Sequence, residues 1–237
     1  MSLTNEIGNK GILIGTTILL LWFVSFVFAL TQPLYWLGFW AVPLVVLLTQ
    51  LFTGVFITAH DAIHGVVYPA NLKINRLFGI LCASLFAFNS YDLMYKNHHA
   101  HHSNTGDNID PDFHSSRKFI PWFISFIRHY IGWKPLLLTA IFFNSLLWIL
   151  KIDLANLLLF YVFPMCLSTI QLFYFGTFQP HSGIHNNKYK SGTQDKNHLW
   201  AFVSCYFFGY HYEHHDNPSI PWWRLYRAKE SLGKLSA

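Results

Sequence analysis

Histidine is the residue type whose number and spacing point to chemistry in this chain. The 237 residues include 14 histidines against 11 aspartates and glutamates, and most of the histidines lie in three short clusters. The clusters are His60 and His64; His98, His101 and His102; and His211, His214 and His215. Because residues at i, i+3 and i+4 share one face of a helix, each cluster is predicted to direct two or three imidazoles the same way.

The clustered imidazoles indicate a metal site. Neutral imidazole is a common protein ligand for iron, zinc and copper. Eight imidazole nitrogens are twice what one tetrahedral zinc ion uses, so two metal ions are the natural number. Iron suits oxygen chemistry because it changes oxidation state, which zinc does not. The spacing therefore predicts a histidine-rich dimetal site.

Histidines outside the clusters and nearby carboxylates are weaker candidates. His181 lies just past the last predicted membrane span and is a candidate ninth ligand, with a hydrogen-bonding role as the alternative. His99 is predicted to lie on another helix face. Metal-bound imidazoles usually donate their second N–H to a carboxylate or carbonyl group. Seven carboxylates are close enough in sequence to accept it, among them the main candidates Asp61, Asp110, Asp112 and Glu213, with solvated loop charges as the alternative for each. The other three are Asp92, Asp107 and Asp216.

The composition indicates what must position these groups. Hydrophobic residues make up 53% of the chain and charged residues 11%, against about 25% charged residues in an ordinary soluble domain. The mean hydropathy is +0.30. This excludes a disordered chain and argues against a soluble enzyme. The three cysteines form no paired motif, and the net charge of +5 has no basic run. Neither a disulfide framework nor a nucleic-acid partner is therefore predicted.

The apolar residues form long blocks that predict membrane-spanning helices. Crossing about 30 Å of hydrocarbon takes about 20 apolar residues. Four predicted spans cover residues 11–30, 37–59, 135–150 and 154–178. Three shorter apolar segments, at 77–90, 119–132 and 199–210, are predicted to be re-entrant or interfacial helices. The expected fold is an all-α integral membrane protein with about four transmembrane helices.

The distribution of basic residues predicts the orientation. Four spans put both termini on the same side of the membrane, and only Lys151 of the 16 lysines and arginines then lies opposite. Loops rich in lysine and arginine face the cytoplasm. The histidine clusters fall on the same side as the termini, so a multi-pass protein with a cytoplasmic-face site is predicted.

Several motifs together carry a family resemblance. They are HDAIHG at 60–65, HHAHH at 98–102 followed by DPDFH at 110–114, FGTF at 175–178 before His181, FGYHYEHH at 208–215 and PWWRL at 221–225. In combination the chain resembles the membrane fatty-acid desaturase and hydroxylase superfamily. Within it, the chain is similar to the bacterial and cyanobacterial β-carotene 4-ketolases. The resemblance covers roughly residues 37–226 of a chain that is expected to form one membrane-embedded desaturase-like domain, residues 1–237.

The resemblance implies a detailed chemistry. It implies that the eight clustered histidines hold two irons, with His181 as the candidate ninth ligand. It also implies oxygen as the oxidant, a reduced ferredoxin-like electron donor and β-carotene in the lipid bilayer as the substrate. Two hydroxylations at carbon 4 of a β-ionone ring would give a gem-diol that loses water to leave a ketone. The products would be echinenone and canthaxanthin.

Two other classes of function remain as alternatives. A carotenoid hydroxylase, or a fatty-acyl desaturase or hydroxylase, would use the same diiron centre. A histidine-rich metal transporter or a haem-b anchor would place histidines within the membrane spans. The four predicted spans contain no histidine, which disfavours this second class.

Overall fold

Helices make up all the regular structure of the described residues. The computed structural model describes the backbone of residues 3–195 and 197–235 and the side chains of residues 9–195 and 197–231. The helices are α1 Leu3–Thr31, α2 Leu34–Ile63, α3 Leu72–Leu85, α4 Tyr91–Asn104, α5 Phe119–Tyr130, α6 Trp133–Ile149, α7 Leu154–Ser182, α8 His198–Cys205, α9 His211–Asp216 and α10 Leu225–Leu235. The all-α prediction is confirmed over this part of the chain.

The long helices agree with the predicted spans at three of four places. Among the described residues, α1, α2 and α7 are long and apolar enough to cross a membrane. The fourth predicted span, residues 135–150, lies within α6, which meets α5 at a bend of 86°. The number of candidate spans is thus three, or four if the bent pair α5–α6 is one span.

The helix that forms near the predicted apolar segment 77–90 is α3, Leu72–Leu85, which begins and ends five residues earlier than predicted. Helix α3 begins earlier because the Asn71 side chain caps it, accepting hydrogen bonds from the backbone N–H groups of Lys73 and Ile74 at 3.0 and 3.2 Å. The helix ends at Leu85, and Ala87 and Phe88 then adopt left-handed φ angles of 55° and 54°. Left-handed residues cannot continue a right-handed helix, so the last part of the predicted segment is a turn.

The helix predicted at residues 199–210 ends early, so the third histidine cluster does not extend from it. Helix α8 ends at Cys205, and Tyr206 and Phe207 adopt left-handed φ angles of 48° and 65°. The Tyr206 hydroxyl donates a hydrogen bond to the Gln50 carbonyl of α2 at 3.0 Å. The cluster therefore lies on its own short helix, α9, which this turn directs back toward α2.

Helix α2 is the centre of the bundle and packs against α1, α3 and α7. Gly79 permits the close approach of α3, because a Cβ atom there would lie 2.3 Å from Tyr91 Cε2 and 2.8 Å from Ala62 Cβ. The Tyr91 hydroxyl and the Asn75 amide donate hydrogen bonds to the Ala62 carbonyl at 2.9 and 2.7 Å. These contacts hold the end of α2 beside α4, so the first two histidine clusters meet.

Helix α7 contains two π-helical turns, Leu158–Val162 and Tyr174–Phe178. Such turns insert a residue into an α-helix and are frequent at functional sites. The second turn directly precedes the last turn of α7, which carries His181. It sets the rotation of that last turn, where the His181 side chain is buried.

Candidate metal centre

Four histidines from three helices form the first group. One nitrogen from each of His60, His64, His98 and His214 lies within 4.8 Å of the corresponding nitrogen of each of the others. His60 and His64 are at the end of α2, His98 is in α4 and His214 is in α9. The Nε2 atom of His102 lies 3.0 Å from that of His98 and 3.1 Å from that of His214. His102 therefore adjoins the first group.

A second group of four histidines lies beside the first. His101 of α4, His181 of α7 and both His211 and His215 of α9 again offer nitrogens within 4.8 Å of one another. All four side chains are buried. The rings of His102 and His215 stack with centroids 4.2 Å apart, which places the two groups side by side. The nine histidines named from the sequence are thus brought together, including His181.

The nitrogens in these groups have the arrangement of metal ligands. The Nε2 atoms of His64 and His98 lie 2.8 Å apart, and those of His101 and His215 lie 3.0 Å apart. The Nδ1 of His181 donates to the Lys190 carbonyl at 3.1 Å, which leaves Nε2 as a buried lone pair with no partner in the described structure. Since a cation between such lone pairs would satisfy them, the residues fit a metal at each group.

One of the expected carboxylates orients a histidine directly. Asp110 accepts the Nδ1–H of His101 through both oxygens, at 2.9 and 3.0 Å. It also accepts the backbone N–H groups of Gly106 and Asp112 at 2.8 and 2.9 Å, which fix the carboxylate in place. The bond to Nδ1 leaves His101 Nε2 as the nitrogen free to bind metal.

The other three candidate carboxylates have different partners. Asp61 Oδ1 lies 3.5 Å from His60 Nδ1, and its Oδ2 accepts the backbone N–H of Trp222 at 3.1 Å. Glu213 accepts the Thr193 hydroxyl at 2.6 Å. Asp112 accepts the hydroxyl of Tyr130 at 2.7 Å. In the described structure Asp112 and Glu213 therefore make no hydrogen bond to a histidine.

Burial and charge keep most of these imidazoles neutral. Burial is the main cause that lowers the pKa values of His64, His98 and His214 well below the ordinary value of 6.5. Burial also lowers the pKa of His101, but its hydrogen bond to Asp110 and the nearby negative charges outweigh this and raise it overall. The neutral form of imidazole is the one that binds metal. These three histidines of the first group can therefore bind a metal ion without first losing a proton.

The remaining histidines lie outside both groups. His99 is exposed and stacks on Tyr95 with ring centroids 4.1 Å apart. His114 forms a hydrogen bond with the Ser116 hydroxyl at 2.8 Å. The others outside the groups are His129, His185 and His198.

A small inner cavity of about 50 Å³ opens beside both groups. Its histidine wall contains His60, His98, His101, His211 and His214, and its other residues are Phe56, Ile63, Met94, Asp112, Phe126, Tyr130, Leu172, Gly176, Thr177 and Phe208. Burial raises the pKa of Asp112 to about 6, so its side chain is a carboxylate above that pH. The cavity brings an apolar surface, one carboxylate and both histidine groups together.

An outer, mostly apolar cavity of about 350 Å³ continues from the inner one. Phe56, Phe126, Tyr130 and Leu172 line both cavities. The outer cavity lies among α5, α6, α7 and the turn after α3. Its walls come from segments far apart in the chain, so no local sequence pattern indicates them. Together the cavities form a mostly apolar path that ends at the histidines.

Comparison with known protein families identifies the family of this chain. The fatty acid desaturase family model matches residues 34–152 and 118–235. A β-carotene ketolase of Paracoccus sp. (strain PC1) is 35% identical over 242 residues, which cover 96% of each chain. These matches confirm the resemblance that the histidine motifs predicted.

Two algal relatives are longer than this chain. Beta-carotene 4-ketolase 3 of Haematococcus lacustris is 35% identical over 206 residues, which are 80% of this chain and 62% of the relative. The zeaxanthin 4-ketolase of Chlamydomonas reinhardtii is 35% identical over 240 residues, which are 93% of this chain and 53% of the relative. The chain thus spans less than two thirds of the length of either algal protein.

Proposed function

The chain belongs to the fatty acid desaturase family, and we propose that it is a β-carotene 4-ketolase that oxidises carbon 4 of β-ionone rings with oxygen. The observation that carries the proposal is the apolar double cavity that ends at two groups of histidines. The similarity to named carotene ketolases supports the substrate class. The products are the mono- and diketones echinenone and canthaxanthin.

The metal assignment is part of this proposal. His60, His64, His98 and His214 hold one iron, and His101, His181, His211 and His215 hold the other, with His102 a further ligand beside the first group. Converging imidazole nitrogens and the unpartnered Nε2 of His181 support it. When bound, two irons supply the oxygen activation that an unreactive C–H bond requires.

The protein's own residues supply positioning and exclusion of water. The outer cavity receives the polyene, and the shared wall of Phe56, Phe126, Tyr130 and Leu172 surrounds the passage to the inner cavity. The ring then lies against the histidine wall, where an apolar surface keeps water from the reacting carbon. Asp110 and the Lys190 carbonyl hold two imidazoles in fixed orientations. Such fixed support limits the rearrangement needed on binding.

The environment and topology complete the proposal. Residues 1–237 form one multi-pass domain in the lipid bilayer, with α6 as the fourth span, α5 at the membrane interface and the site on the cytoplasmic face. With four spans, Lys151 between α6 and α7 is the one basic residue on the side of the membrane opposite the termini. This distribution of positive charge supports the orientation. A reduced ferredoxin-like protein delivers electrons from the cytoplasm.

Pigment chromatography tests the function. Aerobic cells that already make β-carotene are compared with and without this protein, and with the His101→Ala variant as the inactive control. Echinenone and canthaxanthin should form only with the unaltered protein. Rings hydroxylated without ketone would instead favour a carotenoid hydroxylase with the same ligands. Unchanged β-carotene, with folded and iron-loaded protein, would contradict the proposal and favour an acyl-lipid desaturase or hydroxylase.

A further inference from the structure

One carboxylate in the inner cavity has an open hydrogen-bonding position. Asp112 Oδ1 accepts the Tyr130 hydroxyl at 2.7 Å, whereas Oδ2 has no hydrogen-bond partner among the described residues. The Asp112 side chain is nearly fully buried, at 6% exposed. Asp112 lines the inner cavity, so a ligand in the cavity that brings a donor to this oxygen gains a hydrogen bond and hence affinity.

The backbone holds this carboxylate rigidly. The Asp112 N–H donates to Asp110 at 2.9 Å, and the Asp112 carbonyl accepts the indole N–H of Trp122 at 2.6 Å. The hydroxyl of Tyr130, on the wall shared by the two cavities, fixes the orientation of the side chain. The open oxygen therefore has a defined position beside the ring that enters the inner cavity.

The ketolase reaction creates a donor at that place. The first hydroxylation replaces one hydrogen on carbon 4 with a hydroxyl group, and the second replaces the other to give a gem-diol that loses water. Each hydroxylation consumes one oxygen molecule, two electrons from the proposed donor protein and two protons, and it releases one water. Before the second step, the remaining C–H bond must face the histidine wall. The tetrahedral carbon then directs its hydroxyl group toward a side wall.

We propose that Asp112, oriented by Tyr130, accepts a hydrogen bond from the hydroxyl group formed at carbon 4 and retains the alcohol for its second oxidation. Asp112 is thus a positioning residue that makes the ketone, and not the alcohol, the released product. Among the described residues that line the inner cavity it is the one carboxylate. This inference rests on the proposed ketolase function.

Product ratios test the inference in full-length, iron-loaded protein. With β-carotene as substrate, Asp112→Leu should raise the ratio of 4-hydroxy to 4-keto rings about ten- to hundredfold, the range for a hydrogen bond to a charged group. Asp112→Asn keeps an acceptor oxygen and should give a smaller rise, as should Tyr130→Phe. Asp92→Leu, at an exposed carboxylate that pairs with Arg76, is the matched control outside the cavity and should keep the wild-type product ratio.

A binding measurement separates retention from a general loss of activity. Without oxygen, quenching of tryptophan fluorescence gives the dissociation constants of β-carotene and of its 4-hydroxy derivative. Asp112→Leu should weaken binding of the alcohol about tenfold or more relative to β-carotene. Equal weakening of both ligands, or a wild-type product ratio in an active Asp112→Leu protein, would overturn the inference.

Two further outcomes keep the tests independent. If Asp112→Leu does not fold, the Asp112→Leu/Tyr130→Phe protein replaces both hydrogen-bonding partners with apolar groups and is measured in the same way. If the wild-type protein forms ketone from neither β-carotene nor its 4-hydroxy derivative, the proposed function itself fails. Ketone formation with no dependence on Asp112 overturns only the inference about retention.

Discussion

The two histidine groups offer the same kind of ligand in different surroundings. The first group reaches the protein surface, because His64 is only half-buried and lines an open depression together with Arg76 and His99. Its neighbour His102 is also half-buried. In the second group all four side chains are buried.

The groups also differ in how their rings are held. In the second group His101 donates to Asp110, and His181 donates to the Lys190 carbonyl. The Nδ1 atoms of His60 in the first group and His215 in the second are both buried without a hydrogen-bond partner in the described structure. The comparison indicates a fully buried metal position with two imidazoles held by hydrogen bonds, beside a position that reaches the surface at His64. The two metals should therefore differ in how readily they are lost.

Removing one ligand from each group should have the largest effect. His214→Ala affects the first group and His101→Ala the second, and each should abolish turnover because the proposed chemistry needs both metals. Each variant should also lose about half of the bound iron. Pigment analysis and iron determination on purified protein check both effects. Wild-type turnover in either variant would remove that residue from the ligand set.

Removing the support of the second group should have an intermediate effect. Asp110→Ala leaves His101 without its acceptor, and loss of such a partner typically weakens metal affinity about 10- to 100-fold. Metal titration of the purified variant measures this change. Asp92→Ala is the matched control, because Asp92 forms an exposed ion pair with Arg76 and its loss should leave metal affinity unchanged. Equal metal affinities for Asp110→Ala and the wild-type protein would show that the hydrogen bond from His101 to Asp110 does not strengthen metal binding in the second group.

Removing metal with a chelator should distinguish the groups by rate. Iron should leave in two phases, with the faster phase from the first group because His64 and His102 are half-buried. In His214→Ala the fast phase should be absent. Iron release followed over time, with residual iron determined in each fraction, checks this. A single phase for the wild-type protein would show that exposure does not separate the two positions.

Replacing exposed histidines should have the smallest effect. His99 lies near the first group, with its ring centroid 6.0 Å from that of His64, and His129 is exposed on α5. Neither belongs to a group, so His99→Ala and His129→Ala should change stability by no more than about 0.5 kcal/mol. Thermal unfolding and iron content check both. Loss of iron from either variant would show that the replaced histidine contributes to metal binding and that its assignment outside the groups is wrong.

Local spacing predicts the histidine clusters well. The i, i+3 and i+4 relations survive in helices of very different length, since they depend on a single helical turn. His60 lies in the last turn of the long helix α2, whereas His211, His214 and His215 occupy the short helix α9. The division of the histidines into two groups was not predicted, because it depends on how α4 and α9 pack together.

Features that depend on tertiary contacts could not be predicted in this way. Residues 77–90 read as one apolar segment, but the Asn71 cap and the left-handed residues Ala87 and Phe88 displace the helix. Asp112 was close enough in sequence to the second cluster to suggest a histidine partner. Its actual partner, Tyr130, lies on another helix, and sequence spacing carries no information about that contact.

Metal stoichiometry of the wild-type protein tests the central claim most directly. The protein is purified in detergent after growth with iron, and the metal content per chain is determined together with the Mössbauer spectrum. The account predicts two irons per chain in two nitrogen-rich environments. One iron per chain, or zinc in place of iron at full occupancy, would contradict the assignment of one iron to each histidine group.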